Sequence, residues 1–259
     1  MGEVFFWRGT PEQRAKRSLS GKLGRFSYFD QQLDYPDWEP KTVLDFGGNE
    51  GNLLLDRDCT IRRHRYYCLD VLQEALEVGR SRAPEAHWIH YNCYNRSFNP
   101  DGIPGLPVPD MVVRFDIILA YSVFTHTTRE EMHRLVDQLR RLLTPNGVLA
   151  FTFLDPFYMH GQQRSQPSNL HWRLKQSARP ESSASVDHLI SLSRGAEWCS
   201  VIDGSELYVN SDGIWIDEPR VCRNYDVFYT ADFIRQEFPG AVICPPCSGQ
   251  KQHCCLIRA

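Results

Sequence analysis

A strand that ends in a glycine turn constrains this chain more than any other feature of its sequence. The run Thr42–Phe46 is β-branched or apolar except for Asp45, and glycines follow it at Gly47, Gly48 and Gly51. Gly47 and Gly51 permit positive φ and a close backbone approach. The first amides of a following helix, at the positive end of its dipole, suit a polar or anionic ligand. The stretch therefore predicts a strand, a tight turn and a helix start that together cradle a cofactor.

The spacing within this turn separates two classes of nucleotide site. The dinucleotide fingerprint has glycine at its first, third and sixth positions, whereas the pattern here is Asp45-x-Gly47-x-Asn49-x-Gly51. It resembles motif I of the class I S-adenosylmethionine-dependent methyltransferases, acidic-x-Gly-x-Gly-x-Gly, with Asn49 replacing the middle glycine. Asparagine is the commonest non-glycine residue in left-handed backbone, so this departure suits the turn. The resemblance implies that Asp45, Gly47, Gly48, Asn49 and Gly51 contact S-adenosylmethionine.

The second predicted strand, residues 65–69, ends at another carboxylate. Asp70 stands about 20 residues after the first glycine, where an acid is suited to accept from the hydroxyls of a ribose. In the methyltransferase resemblance the acid at this strand end has the same role, and Val71 beside it joins the predicted cofactor site. A second interpretation, compatible with the first, makes Asp70 the N-cap of a helix over Val71–Ser81.

Two further strand ends complete the predicted cofactor site. After a strand over residues 86–91, the amide oxygen of Asn92 either accepts from the adenine amino group, as an Asp often does in the family, or Asn92 serves a turn. The fourth strand, Phe115–Ala120, is continuously apolar apart from Asp116, which predicts burial on both faces of a parallel sheet. The resemblance implies that Tyr121 and Ser122, directly after it, line the sulfonium side of the cofactor.

The C-terminal segment predicts how the sheet is completed. Thr230 is an expected N-cap of a helix ending at Glu237, and strands are expected over Ala241–Cys244 and Gln252–Ile257. Strands this close in sequence can only pair antiparallel. A mostly parallel sheet that ends in an antiparallel hairpin is typical of class I methyltransferases and not of dinucleotide dehydrogenases.

These patterns predict an α/β chain with a Rossmann-like, doubly wound and mostly parallel seven-stranded sheet, a C-terminal antiparallel hairpin and an inserted substrate cap. In this division a helical and aromatic segment, which is either a substrate lid or a cover over a sheet edge, precedes the core. The insertion leaves the sheet at its ligand-binding end, and the last segment completes the core. A hairpin is expected within the insertion over Glu206–Ile216. The predicted divisions are residues 1–40, 41–153, 154–229 and 230–259.

Four polar residues follow the fourth and fifth predicted strands and are our candidates for a reaction wall: His126, Asp155, Tyr158 and His160. Residues at these strand ends face the ligand in open α/β sheets. Each either orients the substrate, satisfies backbone groups or accepts a proton. A zinc site built from Cys244, Cys247, Cys254 and Cys255 is disfavoured, because adjacent residues on a strand point to opposite faces.

Composition limits the classes of partner. The 259 residues are 42% hydrophobic and 24% charged, with a net charge of −3 and no long basic run, which disfavours nucleic acid. No stretch approaches the roughly 18 apolar residues of a membrane span, and the apolar run Val4–Trp7 is short for a signal peptide. Nine cysteines suit a reducing compartment. We expect a cytoplasmic protein with a small-molecule substrate, no metal and an undetermined oligomeric state.

The expected function is methyl transfer from S-adenosylmethionine to an N or O nucleophile of a small molecule in specialised metabolism. One alternative keeps the cofactor but makes the chain a cyclase, in which the cofactor's own amine attacks its side chain, forms azetidine-2-carboxylate and releases methylthioadenosine. Another alternative is a non-catalytic module that binds the adenosyl cofactor or a nucleotide. The fold alone does not choose among them.

Overall fold

A seven-stranded sheet forms the centre of the structure, a computed structural model that describes residues 24–159, 168–171, 198–202, 206–209, 225–247 and 249–259. In chain order the helices and strands are α1 (Arg25–Gln32), β1 (Val43–Phe46), β2 (Tyr66–Asp70), α2 (Gln73–Arg82), β3 (His87–His90), β4 (Phe115–Ala120), α3 (Arg129–Arg140), β5 (Leu143–Phe153), β6 (Trp198–Ile202), β7 (Glu206–Val209), β8 (Tyr225–Tyr229), α4 (Ala231–Glu237), β9 (Val242–Cys244) and β10 (His253–Arg258).

The strand order is β3-β2-β1-β4-β5-β10-β9. The first five strands are parallel, whereas β10 runs antiparallel to both of its neighbours. The carboxyl ends of β1, β2, β4 and β5 therefore share one edge of the sheet with the loop that joins β9 to β10. The predicted Rossmann-like sheet with a C-terminal antiparallel hairpin is confirmed.

Alternating residues of the central strands belong to two hydrophobic clusters, one on each face of the sheet. Val43 belongs to one cluster and Leu44 to the other, and both side chains are fully buried. Cys254 and Cys255 divide between the two faces in the same way. Burial on both faces explains why β4 is an almost uninterrupted apolar run.

The capped helices follow the sequence closely. Thr128 and Glu131 form the capping box that begins α3, with each side chain accepting from the backbone N–H of the other residue. Thr230 caps α4 through its side-chain oxygen, which accepts from Phe233 N–H, and α4 ends at Glu237 as expected. The predicted strand bounds agree with the structure within about two residues, with one exception. For the fifth strand the sequence predicts Val148–Phe153 after a turn at residues 144–147, whereas β5 begins at Leu143.

The predicted helix directly after the glycine turn is wrong. Residues 47–58 form successive turns with no regular helix. Gly51 has φ +77°, which a right-handed helix cannot contain, and the Leu54 N–H bonds to the Gly51 carbonyl three residues back. Only about one and a half helical turns would remain before the chain bends at Asp56. The ligand cradle therefore consists of turn amides, and the helix-dipole argument does not apply to it.

Helix α1 provides the aromatic cover expected near the N-terminus, although its helical form was not predicted. Phe26, Tyr28 and Phe29 are buried against one face of the sheet, together with Trp38 beyond the helix. The Tyr28 hydroxyl donates to the Gln252 carbonyl at 3.0 Å. This cover thus reaches the loop between β9 and β10 at the ligand end. The motif Thr10-Pro11-Glu12-Gln13 predicts an earlier helix that ends near Gly21, and those residues lie outside the described part of the chain.

A second sheet with the order β7-β6-β8 lies within the predicted insertion. All of its pairings are antiparallel. It is attached to the core where the Tyr229 N–H donates to the Leu154 carbonyl at 2.9 Å, one residue beyond β5. The first arm of the predicted hairpin is β7, and its described partner is the preceding strand β6. The second arm, at residues 214–216, lies outside the described part of the chain.

Among the helices that the structure describes, none is long and apolar enough to cross a membrane.

Candidate active site

The turn after β1 is held in left-handed backbone at alternate positions. The φ angles are +72° at Gly47, +57° at Asn49 and +77° at Gly51. The Gly47 N–H also donates to the carbonyl of Leu69 at 2.7 Å, which joins the turn to the adjacent strand β2. Asn49 thus has the left-handed conformation that its substitution for glycine required.

The glycines of this turn have no room for a side chain, because other protein atoms lie close to them. A Cβ at Gly47 would lie 2.5 Å from Val123 Cγ2, and one at Gly51 would lie 2.5 Å from the Trp88 ring. A Cβ at Gly48 would lie 2.6 Å from the carboxylate of Asp45. A side chain at any of these three positions would therefore require the turn or its neighbour to shift.

Asp70 connects the glycine turn to the end of β2. Its Oδ2 accepts from the Asn49 N–H at 2.7 Å and its Oδ1 accepts from the Leu72 N–H at 2.8 Å. Burial raises the pKa of Asp70, and these backbone donors oppose that effect. The N-cap interpretation is wrong in detail, because Leu72 occupies the N-cap of α2 and makes no side-chain cap. The neighbouring residue Val71 is partly buried against the core.

Asp45 points into the protein beneath the turn. It is 2% exposed, and the Tyr66 hydroxyl donates to its Oδ2 at 2.6 Å. Burial raises the pKa of Asp45 to about 7, against the opposing effects of Tyr66 and Arg25. The structure therefore gives Asp45 a role in supporting the turn, and its direct contact with a cofactor stays a prediction.

A ring of hydrogen bonds surrounds the residue that follows β4. Ser122 has φ +59°, its N–H donates to Thr152 Oγ1 at 2.7 Å, and Gln252 Nε2 donates to its Oγ at 3.1 Å. Thr152 donates in turn to Gln252 Oε1. Beside this ring the Tyr121 hydroxyl donates to Gln250 Oε1 at 3.1 Å. The two residues predicted to line the sulfonium side are therefore fixed by the β9–β10 loop.

Asn92 is exposed just beyond β3. Its Oδ1 accepts from Asn99 Nδ2 at 3.1 Å, and its carbonyl accepts from the Ile103 N–H at 2.8 Å. These bonds tie it to the proline-rich loop that follows. The structure thus describes a turn role for Asn92, and a contact with adenine stays a prediction.

Two of the four candidate wall residues lie together after β5. Asp155 Oδ1 accepts from the Phe157 N–H at 2.9 Å, and its Oδ2 accepts from the Ala231 N–H at 3.1 Å. The Tyr158 ring packs edge-on against His253 at 5.0 Å between centroids. Asp155 therefore holds the start of α4. Of the three roles that the sequence allowed for it, this is the one of accepting hydrogen bonds from backbone N–H groups. His160 lies outside the described residues.

His126 ends a short 3₁₀ helix after β4 and faces the second sheet. Its Nδ1 lies 3.8 Å from Oδ1 of Asp226 on β8, and both side chains are largely buried. Phe98 packs edge-on against the imidazole at 5.1 Å, and Asn95 Nδ2 donates to the His126 carbonyl at 3.2 Å. The histidine is thus positioned from three sides, next to a carboxylate.

Sequence reasoning missed the side chains that the fold brings in from distant segments: Thr152, Asp226, Gln252 and His253. No local motif marks any of them, because each acquires its position only through strand pairing or loop packing. His253 is 8% exposed, and burial lowers its pKa.

In the described ranges no group of three or more His, Cys, Asp or Glu side chains is arranged to hold a metal ion.

A cavity of about 360 Å³ lies away from this site, among α3, α4 and the outer strands. Arg258 lines it and pairs with Val148 in β5, whereas Phe153 at the carboxyl end of β5 pairs with His253. The cavity is therefore nearer the opposite edge of the sheet from the glycine turn, and we do not assign the cofactor to it.

The strand order, the glycine turn after β1 and the acid after β2 define a Rossmann-like α/β domain of the class I methyltransferase type. A family model described as a methyltransferase domain matches residues 44–149. The match confirms, for those residues, the resemblance stated from the sequence.

Other known proteins are more distantly similar. An uncharacterized protein of Rickettsia prowazekii (strain Madrid E), RP028, is 22% identical over 121 residues, which are 47% of this chain and 46% of that protein. The match thus spans about half the length of this curated relative. The glycopeptide N-methyltransferase MtfA complexed with S-adenosylmethionine is 11% identical, with 92% of this chain and 94% of that chain covered and a TM-score of 0.49. CalS10, an amino pentose methyltransferase from Micromonospora echinaspora, is 15% identical over 100% of both chains, with a TM-score of 0.48. Neither structural likeness bears on substrate or mechanism.

Proposed function

We propose that this protein binds S-adenosylmethionine and transfers its methyl group to an N or O nucleophile of a small molecule. The observation that carries the proposal is the link between the left-handed turn and Asp70 within the segment that matches the methyltransferase-domain model. A ribose requires a fixed acceptor near a backbone turn, and this arrangement supplies one.

The residues present fit such a cofactor. Asp70 is 6% exposed and two backbone donors fix its orientation, while a carboxylate has about four acceptor sites in all. We assign the ribose hydroxyls to it, the turn 47–51 to the amino-acid end and the end of β4 to the sulfonium side. Asn92 is our candidate for adenine. The bound cofactor supplies a methyl group already activated by its sulfonium, so the protein chiefly contributes position and exclusion of water.

The chain's own chemical task is to orient the nucleophile and, where that nucleophile arrives protonated, to accept its proton. Of the described wall residues, His126 is our candidate for this role, because its Nδ1 lies 3.8 Å from Oδ1 of Asp226, which can fix the orientation of the imidazole. Asp155 and Tyr158 are assigned to shaping the wall, since Asp155 holds the start of α4 and Tyr158 packs against His253.

Substrate recognition is assigned to residues 154–229. The second sheet is attached directly after β5, and β8 carries Asp226 toward His126. Since the insertion leaves the sheet at the end where open α/β folds bind ligands, it is suited to close over the acceptor. Trp215→Ala is then expected to reduce turnover more than it weakens cofactor binding.

The purified protein is incubated with S-adenosylmethionine in three ways: alone, with the macromolecular fraction of a desalted cell extract, and with the small-molecule fraction of that extract. The masses of the products then test this function. S-adenosylhomocysteine formed only with the small-molecule fraction is the expected result. Catalytic release of methylthioadenosine without an acceptor would reject methyl transfer in favour of cyclisation. Cofactor binding that never leads to turnover, with extracts from several sources, would favour a binding module.

A further inference from the structure

Arg25 occupies the ligand end of the sheet, although it belongs to the N-terminal cover and not to any cofactor motif. It is the first residue of α1 and is partly exposed. Its guanidinium carbon lies 5.2 Å from the centroid of the Tyr121 ring. Tyr121 directly follows β4, so the cation stands over the strand end that we assign to the sulfonium side.

The same guanidinium acts electrostatically on two further strand ends. Burial raises the pKa of Asp45 and of Asp70, and the positive charge of Arg25 opposes that rise at both residues. Asp45 lies in β1 and Asp70 ends β2. Arg25 therefore lies within electrostatic range of three neighbouring strand ends, on the side where the glycine turn runs.

Arg25 is not committed to an ion pair at short range. Within the part of the chain that the structure describes, no carboxylate lies within 4.0 Å of its guanidinium nitrogens. A cation–π contact with Tyr121 uses no hydrogen-bond acceptor, so the N–H donors of the guanidinium can still bind an oxygen ligand. A half-buried cation with donors to spare, beside two buried acids, is suited to an anionic group of a ligand.

Helix α1 is fastened firmly enough to hold such a contact. Ser27 donates from its backbone N–H and its hydroxyl to the Asp56 carboxylate, at 3.0 and 3.1 Å. Gln32 Nε2 donates to the Pro245 carbonyl at 2.9 Å, and Tyr28 binds the same loop. The helix is thus fixed both to the segment that follows the glycine turn and to the β9–β10 loop, so Arg25 stands on a rigid element.

We propose that Arg25 binds the α-carboxylate of the amino-acid end of S-adenosylmethionine. The proposal rests on the proposed function and assigns one of its specificity contacts. The acids at the ends of β1 and β2 suit hydroxyl groups and cations, whereas the carboxylate of the cofactor needs a positive partner. The planar fork of arginine matches a carboxylate in two parallel hydrogen bonds. The cover formed by α1 then selects for the intact amino-acid end.

Two probes isolate this contact: S-adenosylhomocysteine, and its decarboxylated analogue S-adenosyl-3-thiopropylamine, which keeps the amine and the adenosine. Calorimetric titration of the full chain is expected to show that Arg25→Ala weakens S-adenosylhomocysteine roughly tenfold to hundredfold and leaves the analogue within about twofold. Arg25→Lys should recover part of the loss. Arg141→Ala, which removes an exposed charge between α3 and β5, should change neither affinity.

The outcomes separate this proposal from the function beneath it. If the wild-type protein binds S-adenosylhomocysteine and Arg25→Ala binds it equally well, the Arg25 contact is refuted while the proposed function stands. An equal loss for both probes would also overturn the proposal, because it would show a general effect of α1 on the site. A wild-type protein that binds neither probe would refute the function and the contact together.

Discussion

Gln252 donates from Nε2 to Ser122 Oγ at 3.1 Å across 130 residues of sequence. Ser122 N–H and the Gln252 side chain both engage Thr152 Oγ1, so three segments of the sheet close one small ring of hydrogen bonds. Ser122 has φ +59°, an uncommon conformation for serine that must be held by its surroundings. The antiparallel hairpin thus completes the sheet and also fixes the backbone that follows β4.

Gln252→Leu is expected to lower the free energy of unfolding by about 1–3 kcal/mol, because the hydroxyls of Ser122 and Thr152 both lose a partner. Urea denaturation measures this change, and Gln31→Leu on the exposed face of α1 is the matched control. The interpretation would be refuted by equal losses in the two variants.

Asp70→Ala is expected to weaken S-adenosylmethionine binding by about 1.5–3 kcal/mol for each charge-assisted hydrogen bond to the ribose. Calorimetry compares it with Asp101→Ala in an exposed loop, and circular dichroism checks that both variants are folded. Wild-type affinity in folded Asp70→Ala would remove Asp70 from the cofactor site.

The raised pKa of Asp45 predicts that the free energy of unfolding falls as the pH rises. Because its folded pKa is raised to about 7, its contribution is fully present below its unfolded pKa of about 4 and is lost as the pH rises through 7. Asp45→Asn, which cannot ionise, should lack this change, which is on the order of 4 kcal/mol. Urea denaturation of both proteins at several values between pH 4 and 8 measures it. If the stability of the two proteins changed with pH in the same way, the raised pKa of Asp45 would be contradicted.

Glu237 predicts the opposite dependence. Burial raises its pKa, but hydrogen bonds from Arg129 and His133 outweigh that effect and leave the pKa below its ordinary value. Its stabilising contribution is therefore present above its unfolded pKa and is lost as the pH falls through the lower folded value.

Glu237→Gln should lower the free energy of unfolding by about 1–3 kcal/mol at pH 7, because Arg129 binds both carboxylate oxygens at 2.7 Å. The deficit should shrink below about pH 4. Glu74→Gln, at an exposed site on α2, serves as the control. A deficit that does not depend on pH would argue that the ion pair contributes little.

Local signals predicted the fold well, because β1, β4 and the capped helices carry their periodicity and caps in contiguous residues. The turn conformation at Asn49 was predictable for the same reason. The pairing of His126 with Asp226 and of Ser122 with Gln252 was not, since about 100 or more residues separate the members of each pair and no spacing rule links them. The missing helix after Gly51 shows a further limit, because the left-handed conformation that favours a turn also prevents the helix expected there.

The central claim is that the glycine turn and Asp70 form a site for S-adenosylmethionine and not for a dinucleotide. Calorimetric titration of the purified full chain with S-adenosylmethionine, and separately with NAD, tests it most directly. The account predicts saturable binding of one S-adenosylmethionine per chain and no binding of NAD. Saturable binding of NAD, or no binding of S-adenosylmethionine by the folded protein, would contradict it.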